Sequence, residues 1–229
     1  MKPVALQILE SGPGNPDWNM AVDEALLLTA ASRNLPVLRF YAWSLPAATF
    51  GYFQRLAEVE ARTHLRPLIR RPTGGGIVPH DRDWTYSLAI PPGHPWHRLR
   101  AIESYRAIHE WVIRALAQCR IPAELAPCCR KEAPGACFEG YEKFDVLWLG
   151  RKIAGAAQRR NQNGLLIQGS VQPPPAASRK SWELAMATHP PQDLLPGQVT
   201  PFTPDEPLLT QAQDLARNRY DNPAYTALR

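Results

Sequence analysis

The chain reads as an α/β domain, with strands and helices mixed along its length. Three observations carry this. Residues Trp84–Ile90 alternate in bulk, with Trp84, Tyr86, Leu88 and Ile90 on one face and Thr85, Ser87 and Ala89 on the other, the pattern of a strand. Residues 102–119 place Ile102, Tyr105, Ile108, Trp111, Val112, Ala115 and Leu116 at spacings of three and four, the pattern of an amphipathic helix. Three β-rich runs at 143–149, 152–160 and 165–171 are separated by a turn at Gly150 and another over 161–164, which makes a meander.

The remaining elements follow in order. Residues 4–9 form a strand, and a Gly/Pro loop leads to a helix that begins near Trp18 with Asp17 as its cap. Asp23 and Glu24 lie early in that helix, where acids suit the dipole. Residues 37–43 and 47–52 are two strands, and 56–64 a short helix. Residues 122–141 are irregular. Beyond Val171 prolines punctuate the chain, with short helices expected over 178–187 and 207–220. The expected organisation is a catalytic core over 1–171 and a proline-rich segment over 172–229 packed on it.

Composition narrows the function. At 229 residues one large domain is expected, and 45% apolar with 21% charged residues is ordinary for a globular protein. No run approaches the ~18 apolar residues of a membrane span, and the N-terminus is too short and polar for a secretory signal. A cytoplasmic protein without a membrane is therefore expected. The net charge of +5 favours acidic partners. No basic block is interleaved with aromatics, so nucleic acid is not expected. The four cysteines, Cys119, Cys128, Cys129 and Cys137, form no C-x2-C pair and have no histidine at ligand spacing, so no metal site is expected.

Two stretches carry chemistry. The first is Arg70-Arg71-Pro72-Thr73-Gly74-Gly75-Gly76-Ile77-Val78-Pro79-His80. Glycines reach positive φ and let a ligand approach the backbone N–H groups. Arginine forks suit carboxylate or phosphate. A plain hairpin turn with surface arginines is the alternative, and the arginine pair with the histidine favours a ligand loop. The second stretch is the strand 151–158, where period-two geometry groups Lys152, Ala154, Ala156 and Gln158 on one face. One cation at the end of an apolar track suits an acyl carbonyl or acyl phosphate. An exposed hairpin lysine is the alternative. The small face of Trp84–Ile90 leaves room for an acyl chain.

The run RRPTGGGIVPHDRDWTYS resembles the signature of the lipoate-protein ligase and octanoyltransferase superfamily. So do Asn19-Met20-Ala21-Val22-Asp23-Glu24, the segment from Leu38 to Gln54, and Lys152-Ile153-Ala154-Gly155-Ala156-Ala157. The Ala136-Cys137-Phe138 segment lies fifteen positions before Lys152, as in the cysteine-dependent octanoyltransferases. The resemblance implies a mixed β-sheet with flanking helices, as in biotin and lipoate ligases. It implies Cys137 as nucleophile and Lys152 as the acyl-binding cation. It also implies substrate-binding roles for Arg70, Arg71, Thr73, Gly74, Gly75, Gly76, His80, Gly155, Ala156 and Gln168. Gln168 stands where the family shows histidine, and a glutamine cannot take a proton near pH 7.

The implied reaction moves an octanoyl group from octanoyl-acyl carrier protein to a lysine of a lipoyl domain, such as glycine cleavage H protein or a dehydrogenase E2 subunit. It needs no cofactor. An ATP- and Mg-dependent lipoate ligase is the alternative, with Arg70, Arg71 and the glycines facing phosphates. A non-catalytic acyl-binding relative is the third.

Overall fold

Residues 6–131, 140–175, 177–194 and 197–228 are described by the computed structural model. The chain opens on β1 (Leu6–Gly14), α1 (Pro16–Leu28), the short α2 (Ala30–Arg33) and β2 (Val37–Trp43). β1 and β2 are parallel neighbours, so the chain must cross over between them, and α1 makes that crossing. The cap expected at Asp17 is corrected. Asn15 occupies the N-cap and Pro16 opens the helix, where its missing N–H costs nothing. Asp17 remains a first-turn acid.

A smaller sheet comes next, from β3 (Ala47–Phe50), followed by α3 (Leu56–Glu60), β4 (Leu68–Arg70) and β5 (Val78–His80). β4 pairs parallel to β3 on one side, and β5 pairs antiparallel on the other. The strands flanking the three glycines are thus no hairpin. The glycine corner arches over the end of β3 from one flank to the other.

β6 (Trp84–Ile90) returns the chain to the main sheet and is buried throughout. After α4 (Pro95–Arg98) comes α5 (Ala101–Gln118), whose Ile108, Trp111, Val112, Ala115 and Leu116 enter the main core as their spacing required, while Ile102 in the first turn is exposed and Tyr105 only partly buried. The irregular region holds β7 (Glu124–Leu125) and a two-stranded ribbon of β8 (Arg130–Lys131) and β9 (Gly140–Tyr141). The meander is β10 (Val146–Trp148), β11 (Arg151–Asn161) and β12 (Gly164–Val171).

The C-terminal part contributes α6 (Arg179–Thr188), β13 (Val199–Pro201), α7 (Glu206–Leu215), a π-helical turn over Ala216–Tyr220, and α8 (Pro223–Thr226). Three of these pieces anchor on the sheet or its first helix. β13 pairs parallel to β1 at the sheet edge. Trp182 of α6 is fully buried against the rings of Phe40, Trp84 and Tyr86. Leu208, Ala212 and Leu215 of α7 pack with Met20 and Ala21 of α1.

The main sheet has eight strands among the described residues, in the order β13-β1-β2-β6-β12-β11-β10-β7. β13, β1 and β2 run parallel and the rest antiparallel, so the sheet is mixed. One face packs on α5 and α6, and the other on α1 and α7. No helix among the described residues is long and apolar enough to cross a membrane.

Candidate functional site

The corner owes its shape to contacts inside the protein. Gly75 has φ 88°, a left-handed conformation that favours glycine. Gly51, just past β3, lies directly beneath it. A Cβ on Gly51 would stand 2.0 Å from the Gly75 carbonyl oxygen, so only glycine lets the two segments touch. A Cβ on Gly74 would meet nothing within 4 Å, so that position faces open space.

Both arginines brace this structure. Arg71 donates from Nε to the Gly74 carbonyl at 3.0 Å and from Nη2 to the Gly76 carbonyl at 2.8 Å, and its Nη1 reaches Thr49 Oγ1 at 3.3 Å. Arg70 is fully buried. Its Nη1 donates to the carbonyls of Tyr52 and Gln54, both at 2.7 Å, and its Nη2 to that of Thr226 at 2.9 Å. The guanidinium thereby ties α8 to the turn after β3. In this conformation the two forks address groups of the protein itself, backbone carbonyls and the Thr49 hydroxyl among them.

His80 closes the corner from behind. Its Nδ1 lies 2.8 Å from Asp83 Oδ2 and its Nε2 2.8 Å from Thr49 Oγ1, and its ring stacks on Trp43. Asp83 Oδ2 also accepts from Thr85 at 3.0 Å and Ser170 at 2.7 Å. Burial pushes the Asp83 carboxyl up, but His80 and these hydroxyl donors outweigh it and hold its pKa below the usual value. His80 is buried with both nitrogens engaged, a joint between the small sheet and the main one.

Thr73 reaches the main sheet. Its hydroxyl donates to Gln168 Oε1 at 2.8 Å, and Gln168 Nε2 donates to Asp23 Oδ2 at 2.8 Å. Asp23 is fully buried and also accepts from Arg39 Nη1 at 2.7 Å, Tyr41 Oη at 2.9 Å and Ser87 Oγ at 2.6 Å. Two expectations are corrected here. Asp23 lies mid-helix, so its role is this network and not the helix dipole. The small face of β6 holds no room for an acyl chain at Thr85 and Ser87, because those hydroxyls bind Asp83 and Asp23.

Lys152 stands on the same face as this network, for a reason period two does not contain. Between β10 and β11 the register slips by one, so Val146 pairs with Ala154 but Leu147 pairs with Lys152. The slip turns Lys152 to the opposite face from Ala154. Its Cε and Nζ lie over Gly155, 2.9 and 3.0 Å from where a Cβ would stand there. Gly155 pairs with Ser170, and Ala157 with Gln168, and cross-strand partners share a face. Ala154 and Ala156 pack instead into the core under α5. The expected grouping of Lys152 with Ala154, Ala156 and Gln158 is therefore corrected, and Gly155 takes the alanines' place. Nor is Lys152 an exposed hairpin lysine: its side chain is 7% exposed, and Nζ lies 2.7 Å from the fully buried Asp145 Oδ2.

The structure thus brings Thr73, Gln168, Gly155 and Lys152 onto one face, with the corner beside them. Cys137 lies outside the described residues. Cys128 and Cys129 are exposed, and Cys119 is partly buried. No group of three or more metal-ligating side chains occurs among the described residues. Sequence reasoning missed Asp145, Tyr105, Asp83 and Arg39. Asp23, Arg39 and Asp83 left a signal only as members of the motif runs 19–24, 38–54 and 70–87, while Asp145 and Tyr105 left none.

This fold has solved counterparts. Protein Ta0514 of Thermoplasma acidophilum, solved with bound lipoic acid, superposes with a TM-score of 0.79 at 21% identity, over 99% of each chain. A lipoate-protein ligase A bound with ATP gives 0.77 at 21% identity, over 98% of each chain. At that identity the likeness concerns the fold. The lipoyl protein ligase A/B catalytic domain matches residues 15–172, and the chain belongs to that family. It is 35% identical over 179 residues to octanoyltransferase LipM of Kyrpidia tusciae and 34% identical over 178 residues to that of Bacillus subtilis. Each match covers 72% of this chain, and the chain spans 65% and 64% of the length of those relatives.

Proposed function

We propose that the protein transfers an octanoyl or lipoyl group to a lysine of lipoyl-domain proteins through an acyl-cysteine intermediate. The observation that carries this is the buried ammonium of Lys152, held over Gly155 on the face where the glycine corner docks. The relatives named octanoyltransferase LipM support the reaction class.

The chemistry runs in two steps. The Cys137 thiolate attacks the thioester of octanoyl-acyl carrier protein, the carbon–sulfur bond to the carrier breaks, and the carrier leaves as a thiol after taking a proton. The neutral amine of the acceptor lysine then attacks the acyl-cysteine, forms an amide and releases the Cys137 thiolate, while the amine's extra proton passes to solvent. In both steps negative charge develops on the acyl oxygen, and a fixed ammonium at Lys152 stabilises it. Neither step consumes ATP. The arrangement of Arg70 and Arg71 favours this over the ligase reading, since both guanidinium groups bind backbone carbonyls.

Intact-mass spectrometry after mixing with octanoyl-acyl carrier protein tests the proposal. One added octanoyl group is expected, absent in Cys137→Ala and slowed in Lys152→Ala, and ATP should change nothing. Acyl transfer that needs ATP and survives loss of Cys137 would establish the ligase instead. No transfer from octanoyl-acyl carrier protein, nor from free lipoate with ATP, would leave a binding protein.

A further inference from the structure

We infer that Asp145 is the positioning residue that keeps Lys152 as an ammonium at one point above Gly155, with Tyr105 fixing Asp145 in turn. The inference rests on the assignment of Lys152 to the acyl site. Asp145 comes from the turn before β10, and its carboxylate is fully buried. Oδ2 lies 2.7 Å from Lys152 Nζ and accepts the Glu142 N–H at 2.8 Å, while Oδ1 accepts from the Tyr105 hydroxyl. Three donors, from α5, from β11 and from Asp145's own turn, hold one carboxylate, which leaves it little freedom to rotate.

The physical need for it is plain. An ammonium buried alone in apolar surroundings gives up its proton, because the charged form loses its hydration. A neutral amine there would stabilise neither a thiolate nor a developing oxyanion. A buried carboxylate at contact distance reverses that balance, provided its own oxygens are satisfied. The register slip turns Lys152 to the site face, and Asp145 keeps it charged once there.

Glu142, whose N–H binds Asp145, lies beside the pair with its side chain exposed, and α5 brings two further titratable groups. They are Tyr105, through its hydroxyl, and His109, whose ring packs edge-on to Tyr105 at 4.3 Å. His109 is fully buried, and burial lowers its pKa to about 4, so it is neutral at pH 7 and adds no charge beside Lys152. Arg151, next to Lys152 in β11, is exposed.

The test compares wild type, Asp145→Asn, Tyr105→Phe and Lys152→Gln, each as the full chain, with octanoyl-acyl carrier protein and a lipoyl domain. Turnover is followed from pH 6 to 10, and the Lys152 Cε resonance, assigned by its absence in Lys152→Gln, is followed by NMR over the same range. Asp145→Asn is expected to move the alkaline limb of kcat to lower pH with KM little changed, so that the loss of turnover relative to wild type is several-fold larger at pH 10 than at pH 8. The Cε titration should move down with it. Tyr105→Phe should shift both in the same direction by less, and it carries the comparison if Asp145→Asn does not fold. An unmoved alkaline limb and an unmoved Cε titration in the variants would overturn the inference, whatever happens to the rate, since a packing defect lowers activity evenly with pH. If Lys152→Gln keeps full turnover, the acyl-site assignment fails, and the Cε titration alone still decides whether Asp145 holds the lysine charged.

Discussion

Thr73 donates a 2.8 Å hydrogen bond to Gln168, and through that contact the glycine corner is joined to the central sheet. Gln168 passes the connection on to Asp23 at 2.8 Å. A glutamine amide suits this place because it presents an acceptor to the hydroxyl and a donor to the carboxylate at once.

Replacing Gln168 with Ala should leave a buried hydroxyl without its acceptor and Asp23 with one donor fewer. The expected cost is about 2 kcal/mol of stability, read from urea unfolding. Gln168→Glu should cost more, since it sets a second carboxylate against Asp23. Unfolding midpoints equal to wild type would mean the corner is held elsewhere.

Gly51→Ala should disturb the corner more than its size suggests. The added methyl would press on the Gly75 carbonyl at 2.0 Å, and the nearest atoms it would meet are backbone, with no flexible side-chain end among them to yield. A loss of about 1–3 kcal/mol is expected, with acyl transfer falling alongside it. Gly74→Ala, which meets open space, serves as the control and should leave stability within about 0.5 kcal/mol of wild type.

Arg70→Lys keeps the charge and loses the fork that spans Tyr52, Gln54 and Thr226. We expect a loss of about 3 kcal/mol and faster amide hydrogen exchange across α8 and the turn after β3 together. Exchange accelerating in only one of the two would mean that Arg70 does not couple them.

Stability should fall between pH 6.5 and about 4 through His109. Burial lowers its folded pKa to about 4, against 6.5 for the free side chain, so the unfolded chain binds the proton first as pH drops. The stabilisation is complete above pH 6.5 and is lost as pH falls towards about 4, a change of roughly 3 kcal/mol. His109→Phe should flatten this part of the stability profile, as measured by thermal melting at each pH.

Much of the site was legible along the chain because it is written in local runs. Arg70 to His80 announced a loop by its glycines, and Lys152 announced a cation in a run of small residues. α5 could be read from its own apolar spacing. Other features had no such local mark. β13 is three residues long and exists only through its pairing with β1.

The amino-acid order by itself determined the mixed α/β class, the family and the two chemical stretches, since each depends on residues close together in sequence. Tertiary structure alone decided that Arg70 and Arg71 brace the protein from within, that Gln168 joins Thr73 to Asp23, and that Lys152 faces Gly155 with Asp145 beside it. The reason is physical. A one-residue slip between β10 and β11 reverses which face a side chain takes, and a buried charge is settled by partners that only folding brings near.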